Sequence, residues 1–419
     1  MAAKDDFCVD NSDDFEFDYD DDRNLCQPPK FKRKRPSSSS FHQDSSSSNS
    51  PGSCSARRES TQHVPSVSEW TTKTLDKFGI VFEDNPISID EFTQTIQAHH
   101  VCEKTVPDFY SSLNVLSKRG LAFSLEVPEN EASKSLDKQA DSMKKVREIL
   151  SNFDAFINDV LEEEDNELGK EQRNKAMFFV WSYSVRSFLN YYKKFLEMMN
   201  SSMTECWFAI QDKELHLREL FMVFSRIFFL EPELGNKVVK RFIIGTKVVS
   251  GSPDIRYTCT NPLQRRVLLM LTEAKKSESW GEKKPFEWRN SGHSSDSSSE
   301  TDPKVGNFIQ RIVDAHDLGQ HGGKLLLELS SSVFAPTMVV GCICMGTEVI
   351  FTYLETKEAH LNKITYDGRC DDEISYIRYT EPLNYLIEED RNKCIDLFFL
   401  LGFMQTSGYE NLFPDPPKN

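Results

Sequence analysis

The segment Val267-Leu-Leu-Met-Leu-Thr-Glu273-Ala-Lys275 constrains the fold more than any other part of the chain. Residues 267–272 form a nearly continuous apolar run, the pattern of a central strand covered on both faces. Side chains on a strand alternate between its faces, so Glu273 and Lys275 point one way and Ala274 the other. An acid and an amine therefore share a face directly beyond a buried strand.

The flanking patterns extend this strand into a layered unit. Residues 213–230 carry apolar groups at helical spacing, and the helix ends before Pro232 because a residue preceding proline is pushed out of the helical region. Residues 242–249 and 255–260 are β-branched or aromatic runs and read as strands. Residues 276–303 read as a long flexible insertion, and a helix is expected over 304–318. Gly319 with Gly322 and Gly323 reads as the loop that ends this helix. Strands at 339–344 and 348–353 form a hairpin, and a helix over 388–404 packs on the sheet. No repeat appears at a solenoid period.

The first half is different in character. Residues 1–66 hold an acidic, aromatic-dotted stretch, the basic run from Lys30 to Arg35, and two serine tracts. Ordering a residue costs about 1–2 kcal/mol of backbone entropy, and these residues have little to bury in return, so a disordered arm is expected. Order is expected from Trp70. Ser88 with Glu91 resembles a capping box ahead of Phe92 and Ile96, and residues 135–165 and 171–200 are amphipathic helices. At 419 residues the chain has room for two modest domains and an arm. The expected division is a mainly helical region at 67–204, a second domain at 205–408 and a tail at 409–419.

The chemistry concentrates in Gly251-Ser-Pro253-Asp254-Ile-Arg-Tyr257, the turn through Asn261 and Pro262, and Glu273-Ala-Lys275. Pairing of the two strands brings Asp254 beside Glu273, giving two hard carboxylates suited to Mg2+. A neighbouring lysine keeps two close carboxylates tolerable and can orient an attacking water.

This arrangement resembles the PD-(D/E)XK nuclease superfamily and, more loosely within it, the eukaryotic domains of Crinkler-type and transposon-associated proteins. The resemblance covers about half the chain and rests on the helix, Pro253-Asp254, the strand with Glu273-x-Lys275, and the following helix and strands. It implies an α/β fold, a restriction-endonuclease-like mixed sheet flanked by helices. It also implies metal binding by Asp254 and Glu273 with Mg2+ or Mn2+, and catalysis by Lys275. A further metal-binding acid is expected on the preceding helix, with Glu219 first and Glu214 second. Gln310 matches a glutamine found after the motif in several members, although Asp314 stands where a tyrosine often accompanies it.

Other chemistries fit less well. The serines lack a GxSxG elbow, the glycines lack the GK[ST] of a phosphate loop, and neither His99-His100 nor His316 with His321 has metal-ligand partners. Ten scattered cysteines without a CxxC pair suit free thiols in a reducing compartment. The start MAAKDDF has no apolar core of a signal peptide, and no run has the roughly 18 apolar residues of a membrane span, so a soluble intracellular protein is expected. The formal charge of −16 argues against a wholly basic surface but leaves room for a local basic groove, because acids cluster between Asp5 and Asp22. The basic run reads as a nuclear-import signal. Two functions compete: a nuclear metal-dependent nuclease acting on DNA, and a non-catalytic adaptor or effector of the same fold that binds nucleic acid or protein.

Overall fold

The computed structural model describes residues 66–99, 108–126, 136–162, 172–201, 209–235, 238–260, 265–275, 307–370 and 372–406. The acidic and serine-rich arm with its basic run, the insertion at 276–303 and the C-terminal tail lie outside the described residues, apart from Ser66 at the arm's end.

Ten helices and ten strands make up the described chain, besides short 3-10 turns. The helices are α1 (Thr72–Asp76), α2 (Ile89–His99), α3 (Asp108–Gly120), α4 (Leu136–Glu162), α5 (Gln172–Ser201), α6 (Ala209–Ser225), α7 (Phe308–Ile312), α8 (Ala315–Glu328), α9 (Glu358–Asp367) and α10 (Glu388–Thr406). The strands are β1 (Ile80–Phe82), β2 (Pro232–Leu234), β3 (Lys240–Ile244), β4 (Lys247–Gly251), β5 (Ile255–Thr260), β6 (Arg266–Lys275), β7 (Met338–Met345), β8 (Glu348–Glu355), β9 (Ser375–Tyr379) and β10 (Leu383–Asn384).

An eight-stranded mixed sheet runs in the order β1-β9-β8-β7-β6-β5-β2, with β10 added to β8. Strands β2, β5 and β6 are antiparallel neighbours, β6 and β7 are parallel, and β7, β8 and β9 are antiparallel again. Parallel neighbours need a crossover, and here the connection carries α7 and α8. Residues 242–249 do not form one strand: Gly245, at φ +58°, turns the chain into the separate β3–β4 hairpin.

Both faces of the sheet are covered, as the continuous apolar run of β6 requires. Met270, Cys342 and Phe351 share one core with Phe188, Leu220, Phe224 and Phe398, from α5, α6 and α10. Leu271, Ile343 and Ile350 share the other with Trp70, Leu75, Leu318 and Leu325, so α1 and α8 cover the second face. A bulge interrupts the pairing of β5 and β6, where Tyr257 faces Met270 but Thr258 faces Leu268. The extra residue, Leu269, joins Met270 in the first core.

Elements from both sides of the expected boundary near residue 204 share one sheet and one core. The described residues, from 66 to 406, belong to one compact unit. Strand β1, from the expected helical region, pairs in parallel with β9, Ile80 opposite Ser375.

The predicted loop at Gly319, Gly322 and Gly323 is instead the middle of α8. Helix α7 stops at the extended Val313, and Asp314 restarts the chain as an N-cap whose side chain accepts from His316 N. A glycine costs about 1 kcal/mol inside a helix, and close packing outweighs that cost here. A Cβ on Gly319 would lie 2.3 Å from Thr71 Cα, and one on Gly323 would lie 2.7 Å from the Trp70 ring. The glycines let residues 67–75 lie directly on α8, which clamps that helix between this segment and the sheet.

Candidate active site

Strand pairing brings Asp254 to the Glu273 end of β6. Ile255 lies opposite Thr272, and the Asp254 carboxylate accepts a hydrogen bond from Ala274 N at 2.9 Å. Glu273 and Lys275 project toward α8, as their shared parity requires. The half-buried Asp254, the fully buried Glu273 and the mostly buried Lys275, 18% exposed, make one cluster.

Helix α8 supplies the rest of the cluster. Lys275 Nζ donates to Gln320 Oε1 at 2.8 Å and lies 3.3 Å from Asp317 Oδ1 and 4.0 Å from Glu273 Oε2. Lys324 Nζ forms a buried ion pair with Glu273 Oε2. Gln320 is fixed in turn, its amide nitrogen donating to Ser68 O at 2.9 Å and lying 2.8 Å from His316 Nε2. One further turn along, Glu328 receives the buried Arg256 guanidinium through contacts of 2.9 and 3.1 Å. Gln320, Lys324 and Glu328 follow at four-residue spacing, one stripe of a helix, and this stripe faces the polar side chains of β6 and β5.

Burial sets the electrostatics. Desolvation pushes the Glu273 carboxyl up to about 7; Lys324 opposes this rise, Asp254 adds to it, and Lys275 opposes it more weakly. Lys275 is shifted upward, because Glu273, Asp317 and Asp254 together outweigh the desolvation that alone would lower it. His321, next to this stripe, is buried with Nε2 2.7 Å from Thr352 Oγ1, and desolvation, reinforced by Lys324 and Lys275, lowers it to about 3.

Three expected site residues are elsewhere. Gln310 sits on α7 at the far edge of the sheet, where Phe308 stacks on Tyr379 and Phe308 N donates to Asp84 O. Strands β9, β8 and β7 separate that edge from β6, so the glutamine that reaches Lys275 is Gln320 and not Gln310. Glu219 and Glu214 belong to α6, which packs on the opposite face of the sheet. There Glu219 accepts from Tyr191 Oη at 2.5 Å and lies 3.6 Å from His216. Asp317, Gln320 and Lys324 were not anticipated, although polar residues at four-residue spacing within AHDLGQHGGKLLLE are a readable signal.

The residues that a small hard cation would use here are two carboxylates, one of them already paired with Lys324. Mg2+ is commonly held by one or two carboxylates with water completing its shell. Asp254 and Glu273 supply two carboxylates, and Glu273 Oε1 is buried with no hydrogen-bond partner. Among the described residues no group of three or more His, Cys, Asp or Glu side chains is placed to hold a metal, so a cation here would have to rely on these two carboxylates and water.

Cys259, Cys342, Cys344, Cys370 and Cys394 are free thiols, and among the described residues no helix is long and apolar enough to cross a membrane. No protein-family model, no curated protein and no solved structure matches the chain.

Proposed function

We propose that the cluster of Asp254, Glu273 and Lys275 is the active site of a metal-dependent nuclease with a restriction-endonuclease-like core, hydrolysing phosphodiester bonds in DNA. The observation that carries this reading is the convergence of two carboxylates and a lysine at one end of the β5–β6 pair, facing a helix that contributes Gln320 and Lys324. The order of α6, antiparallel β2, β5 and β6, then α8 and parallel β7 supports it, with the β3–β4 hairpin inserted between β2 and β5.

In this reading Asp254 and Glu273 hold Mg2+ or Mn2+. When bound, the cation neutralises charge on the phosphoryl oxygens and lowers the pKa of the attacking water. Ala274 N fixes the Asp254 carboxylate, and Lys275 orients the attacking water and balances charge, held in place by Gln320 and Asp317. Against the desolvation that lowers it, the neighbouring carboxylates of Glu273, Asp317 and Asp254 raise the Lys275 pKa, which favours the cationic form and suits an electrostatic and orienting role.

A second reading has its own observation. The buried Lys324–Glu273 pair already neutralises the central carboxylate, as a non-catalytic nucleic-acid-binding or protein-binding adaptor would allow. Cleavage of labelled single- and double-stranded DNA with Mg2+ or Mn2+, beside EDTA and the variants Glu273→Gln and Lys275→Ala, separates the two. Metal-dependent cutting lost in both variants supports the nuclease; DNA bound but never cut by folded protein supports the adaptor. The proposal extends to nuclear import through the basic run from Lys30 to Arg35, tested by whether a fluorescent fusion loses nuclear accumulation when that run is neutralised.

A further inference from the structure

Lys324 belongs to the cluster but takes no part in the hydrolysis as proposed. It stands on the stripe of α8 that faces the strands, nine-tenths buried, with its ammonium on Glu273 Oε2. Glu273 Oε1 has no hydrogen-bond partner, and the neighbouring Asp254 adds a second negative charge. A fully buried carboxylate beside a half-buried one needs a cation, and the cation nearest Glu273 is this ammonium.

We propose that Lys324 is a resident counter-ion that competes with the divalent cation for Glu273, so that metal loading requires its ammonium to leave Oε2. This rests on the proposed metal-binding role of Asp254 and Glu273. A divalent cation bound to Glu273 and an ammonium hydrogen-bonded to the same carboxylate are like charges at close range between buried side chains, where repulsion is weakly screened. Lys275 does not compete to the same degree, because its contacts of 2.8 and 3.3 Å are to Gln320 and Asp317, whereas Glu273 is 4.0 Å away. The two lysines thus divide the work: one stays on α8's polar groups, and the other neutralises the carboxylate until metal replaces it.

The test is Mn2+ binding, followed by calorimetry and by water relaxation, in the full chain and in Lys324→Gln, Lys324→Arg and Glu273→Gln. The expected result is affinity roughly tenfold higher in Lys324→Gln, close to wild type in Lys324→Arg, and lost in Glu273→Gln. Equal or weaker binding in a folded Lys324→Gln overturns the competition while leaving the metal site standing. No binding by wild type or Lys324→Gln overturns the metal reading itself. Should Lys324→Gln fail to fold, the Lys324 ammonium resonance of the wild-type chain, assigned by its loss in Lys324→Arg, decides. It must move as Mg2+ is added, and an unmoved signal at saturating Mg2+ overturns the proposal.

Discussion

Gln320 Oε1 accepts a hydrogen bond from Lys275 Nζ at 2.8 Å, across 45 residues of sequence. With Asp317 on the same helix, it determines where the lysine's charge is held. Removing the acceptor leaves Lys275 free to turn toward Asp317 or Glu273, and small displacements of a positioned group cost up to about a hundredfold in rate. Gln320→Leu is therefore expected to lower single-turnover DNA cleavage roughly tenfold to a hundredfold, and Gln310→Leu to leave it unchanged. Equal loss in both variants would remove the assignment of Gln320.

The glycines of α8 give a prediction of opposite sign to helix propensity. Ala stabilises an exposed helical position by about 1 kcal/mol over Gly. At Gly319 the added methyl would lie 2.3–2.5 Å from the Thr71 backbone, which cannot give way as a side-chain end can. Gly319→Ala is expected to destabilise by about 1–3 kcal/mol, as overpacking does, read from the midpoint of urea unfolding. A stabilised Gly319→Ala would mean that residues 67–75 do not lie on α8.

This clamp also marks where the sequence is legible and where it is not. The parity of Glu273 and Lys275 follows from the two-residue period of a strand, and the approach of Asp254 from pairing of adjacent strands; both are local rules. Which glutamine serves Lys275 is not local. Gln310 and Gln320 each lie on a helix after the motif, and the choice depends on which helix crosses over β6. That is decided by glycines that are costly in isolation and become favourable once Trp70, Thr71 and Leu75 pack against them. Strand β1 was unreadable for a similar reason, since its three residues gain their pairing only from β9, at the other end of the chain.

Arg256 and Glu328 form a buried two-pronged ion pair between β5 and the last turn of α8. Truncating one partner leaves the other charge buried and unpaired, which costs about 3–5 kcal/mol, whereas replacing both with apolar groups is often close to neutral. Lys240 Nζ, 4.0 Å from Glu328, keeps some compensation if the arginine is lost. Arg256→Met is thus expected to cost less than Glu328→Leu, and the double variant less than the sum of the two, measured as a double-mutant cycle in urea. Additivity within about 0.5 kcal/mol would show that the pair is not coupled.

His321 and Glu273 act on stability in opposite directions as pH changes. The imidazole is held down to about 3 by burial, so between its ordinary value of 6.5 and about 3 the unfolded chain binds a proton that the fold excludes. Its contribution is full above pH 6.5 and is lost as pH falls toward 3. The Glu273 carboxyl, pushed up to about 7, binds its proton in the fold first, so its contribution is full below 4.5 and is lost as pH rises through 7. Between pH 4.5 and 6.5 the two slopes oppose each other, and below 4.5 the histidine acts without that offset. At 1.36 kcal/mol per pKa unit the histidine's share is on the order of a few kcal/mol. His321→Asn, which can still hydrogen-bond Thr352, is expected to lose less stability than wild type between pH 6.5 and 3.5. In Glu273→Gln, by contrast, the acid-side loss should begin earlier, nearer pH 6.5. Parallel stability curves for wild type and His321→Asn across that window would show that the imidazole is protonated in the fold.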